Sequence, residues 1–166
     1  MQPIIVVALE FTTFREEIRM KKSLVLAVGI TFAVMFSGCS TSRGVVANPS
    51  APRVDYRSVY IVTHGGNGAD MDANMQREFL RHGFSVTAGD EGKAGSDAQL
   101  LVRYADDWKW DLAMYLRSLD VMVYDHQTNV LIATGSWKNS LFHGFYSSEK
   151  VVAEVVDDTV AKVSAR

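Results

Sequence analysis

Only three prolines and a single cysteine, Cys39, occur in the 166 residues of this chain. A single cysteine excludes an internal disulfide, so packing alone must hold the fold, even in an oxidising compartment. An excess of one charge sign is also lacking, because 17 Lys plus Arg residues stand against 19 Asp plus Glu residues. A nucleic-acid-binding domain needs a basic face, so this balance argues against DNA or RNA as a partner.

A membrane-spanning run is lacking as well. The apolar run from Leu24 to Phe36 is shorter than the roughly 20 residues that a spanning helix needs. It follows Lys21 and Lys22 and leads into small residues, which is the order of the charged, apolar and cleavage regions of a secretory signal. We therefore expect residues 20–38 to be a signal peptide.

The segment Phe36-Ser37-Gly38-Cys39 resembles the lipobox of bacterial lipoproteins, although Phe36 stands where that motif usually has an aliphatic residue. The resemblance implies that Cys39 becomes the first residue of the mature chain and is triacylated, for example with palmitate. Such a terminus meets the two-chain requirement for stable membrane anchoring. In these lipoproteins a serine such as Ser40, rather than Asp, favours the outer membrane, with the domain facing the periplasm. The alternative is a free buried cysteine behind an ordinary signal peptide.

The remaining chain divides into three parts. Residues 1–19 carry Glu10 and Glu16 among arginines, unlike a secretory charge region, so we expect translation to start at Met20 and residues 1–19 to be a mis-assigned upstream extension. A start at Met1 would weaken the export interpretation. Residues 39–55, rich in Ser, Pro, Gly and Asn, predict a lipidated N-terminus and a flexible tether that reaches at most about 50 Å. Residues 56–166 then form one periplasmic domain.

The first half of that domain has the pattern of a strand, a turn and a helix. Val59 to Val62 is a short β-branched and aromatic run, typical of a buried strand. After the glycine-rich turn from Thr63 to Gly68, we expect Asp70 to be the N-cap of a helix. A stripe at helical spacing (Met71, Met75, Phe79) follows, and Gly83 closes the helix.

The second half predicts strands and a final helix. Strands are expected at Phe84–Thr87, Ala98–Ala105, Lys109–Asp125 and Val130–Trp137, with turns at Asp106–Asp107 and Asp125–Asn129. In the long strand the apolar phase changes after Ser118, which implies either a bulge there or burial of both faces. Ser147 or Ser148 caps a helix with one valine stripe (Val152, Val155, Val156, Val160, Val163). The order β-α-β-β-β-β-α predicts an α+β two-layer sandwich, with two helices on one face of a mostly antiparallel sheet.

A signature in the strand region carries a second resemblance. Tyr104, Trp110-Asp111, Ala113 and Tyr115-Leu116, with the run Phe79–Phe84, resemble small uncharacterised lipoproteins of Gram-negative bacteria. That group has no established activity. Its shape is similar to periplasmic modules that serve in envelope assembly or as partners of larger machines, which implies a binding role by analogy alone.

Three patterns look chemical. The His64 turn with Asp70 suggests a phosphate cradle or an esterase oxyanion loop, but the chain lacks a Gly-Lys-Ser/Thr ending and a G-x-S-x-G elbow. Asp70, Asp72 and Asn74 imitate a calcium loop without its glycine at position six or its glutamate at position twelve. The four histidines are scattered, so we predict no metal, no cofactor and no catalytic residues.

Aromatic residues give the remaining candidates. Carboxylates (Asp106, Asp107, Asp111) next to Trp108 and Trp110 suggest a sugar site, although such residues more often form a turn and core aromatics. The expected partner or ligand surface consists of Trp108, Trp110, Phe142, Phe145 and Tyr146. The sequence thus predicts a membrane-anchored, non-enzymatic binding or scaffold module that meets an envelope protein, glycan or lipid. The alternative is an envelope hydrolase or a glycan or lipid carrier that uses the aromatic and carboxylate cluster.

Overall fold

The structure, a computed structural model, describes residues 41–65, 69–140 and 144–164. The proposed upstream extension, signal peptide and lipidated Cys39 therefore lie outside the described residues, as does Phe142. The chain divides into two units, Met1–Ser40 and Thr41–Arg166. In the described part, no helix is both long and apolar enough to cross a bilayer.

Six strands and two helices form the described domain. They are β1 (Ser42–Ala47), β2 (Ser58–Val62), α1 (Ala69–Arg81), β3 (Ser85–Gly89), β4 (Leu100–Asp111), β5 (Ala113–Asp125), β6 (Leu131–Lys138) and α2 (Ser148–Ser164). The strand order is β1-β6-β5-β4-β2-β3, and all pairs are antiparallel except those of β2 with β3 and β4. Both helices share one core with the same sheet face. The predicted α+β two-layer sandwich is confirmed.

The two helices form where the sequence predicts them. The α1 stripe (Met71, Met75, Phe79) and the valine stripe of α2 are buried. Ser147 caps α2, because its Oγ accepts a hydrogen bond from the Lys150 amide at 3.2 Å. Gly83 ends α1 with a φ of 84°. The expected N-cap at Asp70 is wrong, because α1 already includes Ala69 and Asp70 lies in its first turn.

The N-terminal part of the expected tether is a strand. Ser42 to Ala47 pair antiparallel with β6, from Ser42 opposite Lys138 to Ala47 opposite Ala133. Arg43 also forms ion pairs at 2.9 Å with Glu154 and Asp158 of α2. The prediction that residues 39–55 form a flexible tether is therefore wrong for β1. β1 begins three residues after Cys39 in the sequence.

The hairpin of β4 and β5 turns later than predicted. The expected turn at Asp106–Asp107 is wrong, since both residues lie within β4, and the chain reverses at Leu112. Of the two alternatives at Ser118, a bulge or burial of both faces, the structure shows the bulge. Asp107 pairs with Ser118 and Trp108 with Leu116, which leaves one extra residue in β5.

The turn between β5 and β6 is closed by a buried carboxylate. Asp125 Oδ1 accepts hydrogen bonds at 2.8 Å from both the amide and the hydroxyl of Thr128, and Oδ2 accepts one at 3.1 Å from the Tyr56 hydroxyl. Asn129 adopts the predicted left-handed conformation, with φ 55°. Burial raises the pKa of Asp125, but these hydrogen bonds outweigh it and hold the pKa below its ordinary value.

This carboxylate predicts a pH-dependent stability. Because the pKa of Asp125 is lower in the folded than in the unfolded chain, its stabilisation is present above the unfolded pKa of about 3.9 and is lost as pH falls through the folded pKa. We expect Asp125→Asn to lower the free energy of unfolding at neutral pH, with a difference from wild type that shrinks below about pH 4. Urea unfolding over a pH series measures this difference. A difference that stays constant with pH would show that Asp125 does not act through its charge.

Candidate functional site

Three large apolar side chains are exposed where β4 turns into β5. Across this hairpin Trp110 pairs with Met114, and Leu112 lies at the turn between Asp111 and Ala113. The exposed fractions are 72% for Trp110, 88% for Leu112 and 57% for Met114. We call residues 110–114 the hairpin tip. Isolated exposed apolar residues are ordinary, but three within five consecutive residues form a local apolar surface.

The hairpin tip continues the core face of the sheet. Trp108 and Leu116 are the preceding cross-strand pair, and both contact the core beneath the helices. Side chains two positions apart on a strand point to the same face, so Trp110 and Met114 lie on the face that carries the core. The face that is covered at Trp108 and Leu116 is therefore exposed at Trp110 and Met114.

Leu112 has an unusual backbone conformation. Its φ is 58°, in the left-handed region that glycine and asparagine usually occupy. A branched side chain there costs roughly 1–2 kcal/mol relative to the right-handed conformation. The leucine side chain is also the most exposed of the tip, so packing within the domain does not compensate this cost. Strained backbone conformations of this kind are concentrated at functional sites.

The loop between β6 and α2 brings two further aromatic residues to the base of the hairpin. The Asn139 side-chain amide donates hydrogen bonds at 3.0 Å to the carbonyls of Leu116 and Gly144, which ties this loop to β5. Phe145 then packs edge-on against Tyr115, with ring centroids 6.1 Å apart. Both Phe145 and Tyr146 remain exposed.

The predicted surface residues thus have different environments. Trp110 and Phe145 are exposed, and Tyr146 is exposed on one side while its ring packs against the buried Trp137, with centroids 5.6 Å apart. Trp108 is partly buried against the core. Leu112 and Met114 were absent from the predicted surface because the sequence predicted one continuous strand from Lys109 to Asp125. Neither residue was expected to lie at a turn.

The carboxylates beside the tryptophans do not converge. Trp108 Nε1 donates a hydrogen bond at 2.6 Å to Asp106, whereas Asp107 pairs with Lys109 at 3.2 Å. Because Asp106 and Asp107 are consecutive in a strand, their side chains point to opposite faces of the sheet. The predicted cluster is therefore divided between two faces rather than gathered around one sugar-sized space.

A buried polar cluster occupies the start of α1. Asp72 accepts hydrogen bonds at 3.1 Å from the backbone amides of His64 and Gly65, and another from the Tyr104 hydroxyl. The His64 ring lies on that of Tyr104 with centroids 4.3 Å apart, and its Nδ1 is 3.7 Å from Asp106 Oδ1. Burial, together with the hydrogen bond to Asp72, raises the pKa of Tyr104 well above its ordinary range. Tyr104 therefore stays a protonated donor.

This cluster shows what the amides of the His64 turn, which resembles a phosphate or oxyanion loop, bind in the folded protein. Its amides at His64 and Gly65 point to Asp72, so a carboxylate of the chain itself takes the place an external anion would need. The sequence drew attention to Asp70, whereas Asp72 makes these bonds. Its position three and seven residues before Met75 and Phe79 places it beside the buried stripe, which was the available signal.

The residues that imitate a calcium loop point to different partners. Asn74 is buried between the helices, where its amide group donates to Ser148 at 3.4 Å and its carbonyl accepts from Arg77 at 3.1 Å. Asp72 instead faces the His64 turn. In the part of the chain that the structure describes, no three metal-ligating side chains come together.

The fold is a two-layer α+β sandwich built on a mixed six-stranded sheet. No family model and no curated protein sequence matches the chain. Among solved structures, the chain is similar to the PelC dodecamer from Paraburkholderia phytofirmans, at 12% identity and a TM-score of 0.51, covering 76% of this chain and 99% of that one. A PDZ domain protein from Parabacteroides distasonis gives a TM-score of 0.42 at 10% identity, covering 76% of this chain and 37% of that one. Likeness at such identity shows the fold alone.

Proposed function

We propose that this protein is a lipid-anchored lipoprotein of the bacterial envelope whose folded domain is a non-enzymatic binding module. The anchor rests on the order of Lys21, Lys22, the apolar run and the lipobox-like segment that ends at Cys39. The resemblance to small lipoproteins of Gram-negative bacteria supports the outer membrane as the site of anchoring. The domain would then face the periplasm.

The hairpin tip is the observation that carries the binding role. Its three apolar side chains are exposed at the end of the β4–β5 hairpin, and one of them, Leu112, adopts a strained backbone conformation. Exposed apolar surface lowers solubility unless another surface covers it. A module that contacts a partner through this hairpin accounts for both the exposure and the strain.

A catalytic role has less support from the same geometry. Two of the carboxylates that the sequence singled out hold the chain together: Asp72 accepts hydrogen bonds from backbone amides, and Asp106 accepts one from the Trp108 ring. Tyr104, the buried donor of this cluster, is held protonated by its surroundings. A hydrolase would need a nucleophile paired with a base, and these side chains already serve one another.

Replacing the anchor residue tests the proposal. We expect Cys39→Ala to abolish both acyl labelling and membrane retention, because the domain would lose the lipid that holds it. Fractionation of cells grown with a labelled fatty acid measures both quantities. Ser40→Ala is the matched control, since it changes the neighbouring residue and keeps the thiol. Unchanged fractionation and labelling of Cys39→Ala would overturn the lipoprotein proposal.

A further inference from the structure

We propose that the hairpin tip inserts into the headgroup layer of the membrane that holds Cys39, as a second contact of the domain with lipid. This inference rests on the lipid anchor proposed above. It names the membrane surface, rather than an envelope protein, as the partner of the exposed apolar residues. Two geometric facts and the chemistry of the tip support it.

The first fact is that β1 begins at the edge of the sheet from which the tip projects. One row of paired residues crosses four strands: Ser42 of β1, Lys138 of β6, Ser118 of β5 and Asp107 of β4. β1 runs away from this row, so the chain enters the domain at this edge. β4 runs in the opposite direction and continues past the row for four residues, to Asp111. The start of β1, which follows Cys39 by three residues in the sequence, and the hairpin tip therefore lie at the same edge.

The second fact is that the hairpin extends farther past this row than the chain between Cys39 and Ser42 can reach. Four strand residues beyond the row extend about 13 Å at roughly 3.3 Å each. The three residues from Cys39 to Ser42 span at most about 10 Å. An acylated Cys39 lies at the boundary of the hydrocarbon, so the tip comes level with the headgroups when the strands stand upright on the membrane. The domain would have to tilt to keep the tip in water.

The chemistry of the tip fits a lipid interface. Tryptophan favours the headgroup region, where its ring is partly buried and its N–H stays hydrated, and leucine and methionine favour the acyl boundary. Leu112 at the apex is the most exposed of the three. The hairpin carries no excess of positive charge, because Lys109 and Arg117 both lie beside Asp107, and Asp106 and Asp111 are two further carboxylates. Apolar burial rather than attraction to anionic lipid therefore drives the contact, and added salt should not weaken it.

Leu80 provides a matched control on the same domain. It is 57% exposed, as Met114 is. β2 is parallel to β4 and ends toward the tip, and α1 runs back from there, so Leu80 near the end of α1 lies toward the opposite edge. A variant at Leu80 removes a similar amount of exposed apolar surface far from the proposed contact.

Quenching by brominated lipid tests the insertion. The acylated mature protein, which begins at Cys39, is reconstituted in phosphatidylcholine vesicles whose acyl chains carry bromine, which quenches tryptophan only at short range. We expect wild-type emission to be quenched and Trp110→Phe to lose most of this quenching, although Trp108 and Trp137 remain. Leu112→Gly should reduce the quenching at least twofold without destabilising the domain, because glycine suits the positive φ. Leu80→Ser should leave the quenching unchanged, as should high salt.

The possible outcomes distinguish failure of the insertion proposal from failure of the lipid-anchor proposal. Acylated, vesicle-bound protein whose Trp110 is not quenched would overturn insertion and leave the anchor standing. Protein that is never acylated would overturn the anchor itself. An unquenched tip together with self-association that Leu112→Gly abolishes would identify the tip as a protein interface, and this too would overturn insertion.

Discussion

Replacing Asp72 with alanine is expected to lower the free energy of unfolding by about 2–4 kcal/mol. The substitution leaves the amides of His64 and Gly65 and the buried hydroxyl of Tyr104 without their shared acceptor. A buried donor without a partner costs roughly 1–3 kcal/mol, and water can reach the two amides more readily than the hydroxyl. Urea unfolding followed by circular dichroism measures the loss.

Asp70→Ala is the matched control for this prediction. Asp70 lies in the same first turn of α1 and is exposed. Its replacement should therefore lower the free energy of unfolding only through the helix dipole, by roughly 0.3–1 kcal/mol. Tyr104→Phe should fall between the two, because it removes one donor and leaves the two amide bonds. Equal losses for Asp70→Ala and Asp72→Ala would show that the cluster at the start of α1 does not hold the turn.

Gly135→Ala is expected to destabilise the domain by about 1–3 kcal/mol through overpacking. Gly135 lies in β6 directly beneath α2, and an added Cβ would come within 2.9 Å of Val155 Cγ1 and closer still to Thr159 Oγ1. Thr159 is fully buried, and its hydroxyl donates a hydrogen bond at 2.7 Å to the Val155 carbonyl. The helix therefore has to move away from the sheet, and its valine stripe loses contacts.

Gly44→Ala is the matched control, because it distinguishes the contact of Gly135 with α2 from a general effect of replacing glycine by alanine in a strand. Gly44 lies in the adjacent strand, where an added Cβ would meet only Ser136 Oγ, at 3.8 Å. Gly44→Ala should be neutral or stabilising by up to about 1 kcal/mol, through the entropy of the unfolded chain. Combined with Thr159→Ala, Gly135→Ala should cost less than it does alone, because the closest atom is gone. Additive losses would contradict the packing described for α2.

The sequence allowed the fold class and both helices to be predicted because their apolar periods are strong. The valine stripe of α2 repeats at helical spacing, and each of its members is buried. The change of phase at Ser118 predicted an irregularity, either a bulge or burial of both faces, and the register of β4 and β5 shows the bulge. In each case many buried residues contribute to one pattern.

β1 was missed because an edge strand carries little pattern. Its residues are mostly exposed, it pairs with β6 alone, and a glycine lies within it. The interactions that hold it come from residues far away in the chain, such as the ion pairs of Arg43 with Glu154 and Asp158. Its serines, glycine and nearby proline gave the composition of a linker.

The hairpin tip was placed wrongly for a different reason. Asp106 and Asp107 have turn composition but lie within a strand, whereas the real turn uses a leucine in the conformation that glycine or asparagine usually adopts. The exposure of Trp110 also depends on which other elements cover the sheet at that position, which local sequence does not specify. Such departures from local rules are concentrated where function competes with folding.

The mass of the N-terminal tryptic peptide, from protein recovered in the bacterial membrane fraction, tests the central claim most directly. If Cys39 is the acylated first residue of the mature chain, trypsin releases the peptide Cys39–Arg43 with three acyl chains on Cys39. We predict that peptide and no peptide from residues 20–38. A peptide from Ser23 to Arg43 with an unmodified cysteine would contradict the account.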